Sequence, residues 1–185
     1  MINYHPWQCD EELRALNPLN KVPVLILENG KAVYDSPVIC EYLNDYAGGN
    51  LIPSAHKYEV LRIQALCDGI LDAGVSGRYE THFRPTPMRS NDWLDRQMKA
   101  IEAGLVALSH EPLLQETQTS EINLATICVA VTLFYIELRY VELYSSKTPS
   151  TLRTWRKQFE NHIVFDTTKP QDTLPLPKNL QTIGR

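Results

Sequence analysis

Two short stretches carry residue types suited to a small polar ligand: Val22-Pro23 and Asp35-Ser36-Pro37. Pro23 heads an apolar run and has no N–H, so that end of the run must be an edge, a bulge or a cis turn. A cis Val22–Pro23 bond would swing the Val22 N–H and C=O outward, where an extended peptide can pair with them as an added strand does. Ser36 is expected as a helix N-cap, with Pro37 at the first helical position, where its missing N–H costs nothing. The free N–H groups and positive dipole end of that helix suit a carboxylate, and the Asp35 carboxylate beside them suits an ammonium group. One corner thus offers a peptide slot, an anion site and an acid. A γ-glutamyl peptide, with α-amino and α-carboxyl groups at one end, matches all three. Taken alone, Asp35-Ser36 also reads as an ordinary helix cap. The ordered set of Val-Pro, apolar strand, Asn-Gly turn, strand, Asp-Ser-Pro and helix is far more specific.

The elements that must hold this corner are legible around it. Asp10 to Leu16 reads as a short helix, and Ile2-Asn3-Tyr4 as the end of a strand. Val22 to Leu27 is a β-type run, Asn29-Gly30 a two-residue type I′ hairpin turn, and Ala32-Val33-Tyr34 the return strand. The Ser36 helix is expected to run to about Tyr46 and stop at Gly48-Gly49. After Leu51-Ile52-Pro53 only helical patterns appear. The first repeats apolar residues at Leu61, Ala65, Ile70 and Ala73. The second carries a stripe of Leu94, Met98, Ile101, Leu105 and Leu108. The third, Ser120 to about Tyr144, is apolar on most faces and is expected at the centre. A fourth spans about Leu152 to His162, and a proline-marked tail follows. The fold class is therefore a small α/β unit followed by an all-α unit, divided as residues 1–53 and 58–185.

The 185 residues are 43% hydrophobic and 22% charged, with a net charge of -4. That composition describes an ordinary globular chain and carries no electrostatic footprint for nucleic acid or a membrane surface. The opening MINYHPWQCD does not read as a signal peptide. The apolar run from Leu124 to Ile136 is shorter than the roughly 20 residues a bilayer span needs. Cys9, Cys40, Cys67 and Cys128 form no C-x-x-C pair and read as the reduced thiols of a cytoplasmic protein. His5, His56, His82, His110 and His162 lack metal-ligand spacing, so no metal is expected.

The stretch NPLNKVPVLILENGKAVYDSPVICEYL, followed by LIP, resembles the second half of the thioredoxin-like domain of cytosolic glutathione S-transferases of bacterial type. The resemblance continues through ALCDGILDAGVSGRYETHFRP, WLDRQMKAIEAGLVAL, SEINLATICVAV and TWRKQFENHIVFDTTKP, covering about Trp7 to Pro170. It implies a glutathione-binding, thioredoxin-like unit followed by a helical transferase unit, and a homodimer. Glutathione would be a substrate, with no cofactor, and a small hydrophobic electrophile its partner. By the resemblance, Pro23 is the cis-proline, Val22 pairs its backbone with the cysteinyl part of glutathione, and Asp35 and Ser36 hold the γ-glutamyl end. Lys21 lies where a side chain approaches the glycine carboxylate. Tyr79, Glu80 and Phe83 lie where the long helix would face the electrophile, or would serve an interdomain or dimer contact.

The sequence departs from the family pattern in two places. It opens at what resembles the second strand, so the first strand and helix are expected to be missing. The usual catalytic Ser, Tyr or Cys, which lowers the thiol pKa of glutathione, is missing with them. Cys9, Tyr4 and Ser36 are the nearby groups of suitable type, and the catalytic residue is left unassigned. At the third helix the family's Ser/Thr-x-x-Asp cap is replaced by Ser120 and Asn123. Two functions stand side by side: a glutathione transferase, or a non-catalytic, truncated relative acting as a binding or interaction module.

Overall fold

A computed structural model describes residues 11–116, 122–160 and 162–168. Helix α1, Glu11–Leu16, precedes a hairpin of β1, Leu25–Ile26, and β2, Ala32–Val33. The strands pair antiparallel with Leu25 opposite Val33 and Ile26 opposite Ala32. The ladder is shorter than the apolar run around it, because Pro23 offers no N–H and the return strand ends just before Asp35.

The hairpin turn differs from the expected type I′. Leu27 N–H donates to Lys31 O at 2.9 Å and Gly30 N–H to Leu27 O at 2.9 Å, leaving a three-residue loop, Glu28 to Gly30. Only Gly30 takes a positive φ, +77°. This is a type I turn closed by one left-handed residue, and it needs glycine at one position rather than two. Asn29 instead uses its side chain, whose Oδ1 accepts from Lys31 N–H at 3.0 Å.

Helix α2 spans Ser36–Tyr46. Its N-cap is Asp35, in extended backbone, so Ser36 is the first helical residue and not the cap expected. The reason is that Asp35 O already accepts the first helical bond, from Ile39 N–H at 3.0 Å. Gly48 and Gly49, both at positive φ, end the helix.

Helix α3 spans Lys57–His82, α4 Asn91–Ser109 and α5 Pro112–Glu116. They are followed by α6, Leu124–Arg139, α7, Val141–Lys147, α8, Ser150–Lys157, and α9, Ile163–Thr167. Helix α3 packs against both α4 and α6. Its buried positions are Val60, Ile63, Gln64, Cys67, Ile70, Ala73, Gly74, Gly77 and Glu80; of the expected stripe Ile70 and Ala73 are buried, Leu61 is half-buried and Ala65 is exposed. The stripe thus agrees with the one expected at Ile70 and Ala73 and departs from it at Leu61 and Ala65, and it widens at Gly74 and Gly77, which serve as contact positions. A Cβ on Gly104 of α4 would lie 2.5 Å from Ile70 Cγ1, so the α3–α4 crossing requires a hydrogen there. The α4 stripe agrees with its sequence pattern, with Ile101, Leu105 and Leu108 fully buried and Leu94 and Met98 partly so.

Helix α6 is the central element, with Ala125, Val129, Ala130, Leu133 and Ile136 at zero exposure. It is capped by Asn123; Ser120 lies outside the described residues. Asn123 Oδ1 accepts from Thr126 N–H at 3.0 Å, and Thr126 Oγ1 accepts from Asn123 N–H at 3.0 Å, a reciprocal box. The expected single helix to Tyr144 is two helices, α6 and α7, meeting at 118°. Tyr140 marks the break, and its hydroxyl donates to Gly74 O of α3 at 2.5 Å. Among the described residues no single helix is long and apolar enough to cross a membrane. The expected fourth helix stops at Lys157, and α9 restarts after His162. Arg156 is buried there between Glu137 and Glu160, 4.3 Å above the Phe134 ring.

Asn44 ties the two parts of the chain together. It is 6% exposed, and its Oδ1 accepts from both Leu51 and Ile52 N–H at 2.9 Å. Leu51 O accepts in turn from Leu124 N–H at 2.8 Å, and Ile52 enters the helical core. The connection between the units is therefore part of the packed interior.

Candidate functional site

The loop before β1 is organised by a buried asparagine. Asn17 is 2% exposed; its Nδ2 donates to Lys21 O at 2.9 Å and its Oδ1 accepts from Leu19 N–H at 3.1 Å. Asn20 completes the bend at φ +54°, a left-handed position that asparagine tolerates. The loop delivers Lys21, Val22 and Pro23 to the surface, all exposed. The Val22–Pro23 peptide is cis. At the other side of the hairpin, Asp35 is exposed and Ser36 half-buried at the start of α2.

Sequence reasoning missed the groups that face this corner from α3. Asp68 is half-buried, and its carboxyl is pushed above the usual range by burial, by Asp72 one turn on, and by Asp35. The three carboxylates thus share one region, built from both parts of the chain. The i, i+4 pair Asp68 and Asp72 is visible in the sequence, but only the packing brings it to Asp35. Such a cluster favours a cation that relieves its mutual repulsion.

Further along α3, Tyr79 and Phe83 meet edge-on with ring centroids 6.1 Å apart. With Pro85 and Met88 they line a surface cleft of about 330 Å³. Glu80 borders it but is 6% exposed and already engaged. Its Oε2 accepts from Arg84 Nε at 2.8 Å and its Oε1 from Ser90 N–H at 2.7 Å, which holds its carboxyl below the usual range. Tyr4 and Cys9 lie outside the described residues. Cys40, Cys67 and Cys128 are free thiols. Burial pushes Cys67 up to about 12 and also raises Cys128 and Cys40. None of the three is poised as a nucleophile. Among the described residues no group of His, Cys, Asp or Glu is arranged to hold a metal.

Residues 1–45 match the family described as glutathione S-transferase, N-terminal domain. The chain is 37% identical over 147 residues to the uncharacterized GST-like protein YibF of Escherichia coli K12, covering 76% of this chain and 70% of that one. It is a member of the glutathione S-transferase family. A solved glutathione transferase family member from Pseudomonas fluorescens Pf-5, with bound glutathione, is 32% identical to this transferase-family chain. It superposes with a TM-score of 0.82 over 92% of this chain and 83% of that one. A structure of a family member from the same organism with bound S-(propanoic acid)-glutathione shows 34% identity and a TM-score of 0.76, over 84% and 80%. The family fold, a thioredoxin-like unit followed by a helical one, accounts for the hairpin and the α3–α4–α6 core of this transferase relative.

Proposed function

We propose that this protein binds glutathione at the Val22, Asp35 and Ser36 corner and joins its sulfur to a small electrophile. In that reaction glutathione loses its thiol proton and its sulfur bonds the electrophilic carbon. The carbon either releases a leaving group or passes an electron pair to its neighbour, which takes up a proton. The observation that carries the reading is the hairpin register: Leu25 opposite Val33 and Ile26 opposite Ala32 set the exposed Val22–Pro23 backbone across from Asp35 and Ser36 at the start of α2. Val22 and Pro23 offer exposed backbone to an extended peptide, the start of α2 offers N–H groups to its α-carboxylate, and the carboxylates of Asp35 and Asp68 suit its α-ammonium. The glutathione bound to the Pseudomonas relative supports the same ligand. Lys21 is the cation nearest in sequence for the glycine carboxylate, and Tyr79 and Phe83 supply an apolar surface for the electrophile.

The reading includes a homodimer in a reducing, cytoplasmic setting. Val38, Leu43, Tyr46 and Tyr58 are all exposed, Tyr46 by 73% and Tyr58 by 81%, which suits self-association. The described cysteines are free thiols, the state a reducing compartment maintains.

Isothermal titration with glutathione tests the site. The parent chain is expected to bind, and Ser36→Ala to bind about tenfold more weakly, the value of a lost hydrogen bond to a charged group. Equal binding by both would remove Ser36 from the site, and no binding by the parent would overturn the reading.

A further inference from the structure

The C-terminal half of α3 carries one arginine, Arg78, that the glutathione corner does not use. Arg78 is half-buried, and no carboxylate among the described residues pairs with it. Its close side-chain neighbour is another potential cation, His82, with Nη2 and Nε2 3.4 Å apart. Burial, and then the charges of Arg78, Arg139 and Arg89, hold the His82 pKa below its usual value. The one acid buried on this stretch, Glu80, has both oxygens occupied by Arg84 and Ser90.

Aromatic rings wall the same place. A Cβ on Gly74 would lie 2.8 Å from the Tyr135 ring, so Tyr135 of α6 lies directly on α3. A Cβ on Gly77, the residue before Arg78, would lie 2.8 Å from the Tyr140 hydroxyl, so both tyrosines pack on the stretch of α3 that carries Arg78. The His82 and Phe83 rings stand 6.0 Å apart, edge to face. A half-buried guanidinium beside aromatic rings, with no carboxylate partner among the described residues, is a site for a planar anion.

We propose that Arg78, supported by His82, receives a carboxylate carried by the S-substituent of glutathione, so that the second substrate is an anionic electrophile. This rests on the glutathione reading above. Spacing supports it. Asp68, Asp72, Val75, Tyr79 and His82 follow at three- and four-residue intervals along one side of α3, with Arg78 on the flank toward α6. From Asp68 to Arg78 the helix rises about 15 Å. That equals about four residue lengths of extended chain, a span covered by a γ-glutamyl-cysteinyl unit bearing a short carboxylated S-substituent. Held by its ammonium at Asp68, such a conjugate reaches Arg78 with its far carboxylate.

The test is titration of the full chain with three probes: glutathione, S-propylglutathione and S-(propanoic acid)-glutathione. The parent is expected to prefer the propanoic acid conjugate over the propyl one by about tenfold, one charge-assisted bond. Arg78→Gln should abolish that preference, and Arg78→Lys should keep part of it. Thermal melting of each variant checks that it is folded. Equal affinity of the parent for the two conjugates overturns the proposal while leaving the glutathione reading intact. A preference that survives in folded Arg78→Gln overturns the role of Arg78. If Arg78→Gln weakens glutathione itself as much as the conjugate, Arg78 holds a carboxylate of the peptide, and the proposal falls. Failure of the parent to bind any of the three overturns the glutathione reading and this proposal together.

Discussion

Single residues here are tuned mainly by burial. Cys67 sits at zero exposure against α6, and its thiol is pushed up to about 12 from an ordinary 9.0. The sign follows from linkage. A folded pKa above the unfolded one means that stability is fully present below pH 9.0 and is lost as pH rises toward 12. At pH 8 the thiol is therefore protonated and shielded. Alkylation of Cys67 by iodoacetamide, followed by peptide mass mapping, is expected to be undetectable in the native protein and complete in denaturant. Rapid native labelling would contradict this burial. The same physics separates Asp35 from Asp68. The first is readable in the sequence as a helix cap, whereas the second is shifted upward mainly by its burial in the fold.

Elements follow the sequence where local chemistry dominates. Gly30, Gly48 and Gly49 each stop or turn the chain at positive φ, and Asn123 with Thr126 forms a reciprocal cap. Pattern and structure part where a neighbouring element decides. The α3 stripe holds at Ile70 and Ala73 but also includes Gly74 and Gly77, which with the facing Gly104 are contact positions whose value lies in having no side chain. A hydropathy pattern does not weight such positions. Gly104→Ala would place a Cβ 2.5 Å from Ile70 Cγ1 and force α3 and α4 apart. Its expected cost is about 1–3 kcal/mol, typical of overpacking. Urea unfolding measures it, and a variant as stable as the parent would mean that Ile70 repacks without strain.

At the scale of the whole molecule, two units are joined through an interior rather than by a flexible tether. Asn44 holds the linker amides, Leu51 bonds to the start of α6, and Ile52 lies in the helical core. The exposed Val38, Leu43, Tyr46 and Tyr58 are the surface expected to pair two copies. Light scattering coupled to size exclusion should give twice the 21.1 kDa chain mass. A Tyr46→Glu, Tyr58→Glu double variant should shift the mass toward a single chain. A parent of single-chain mass would overturn the dimer.

The sequence by itself determined the order of elements, the hairpin, the buried apolar α6 and the Val22–Pro23 and Asp35–Ser36 pair, because each depends on neighbours within a few residues. It also carried enough of the family pattern to point to the glutathione S-transferase family. Tertiary structure alone decided which face of α3 is buried, that the third helix breaks at Tyr140, and that Glu80 serves Arg84 and Ser90. It alone brought Asp68 to Asp35 and left Arg78 without a carboxylate partner among the described residues. Those outcomes depend on distances between residues far apart in the chain, and such distances are fixed by packing and not by local propensity.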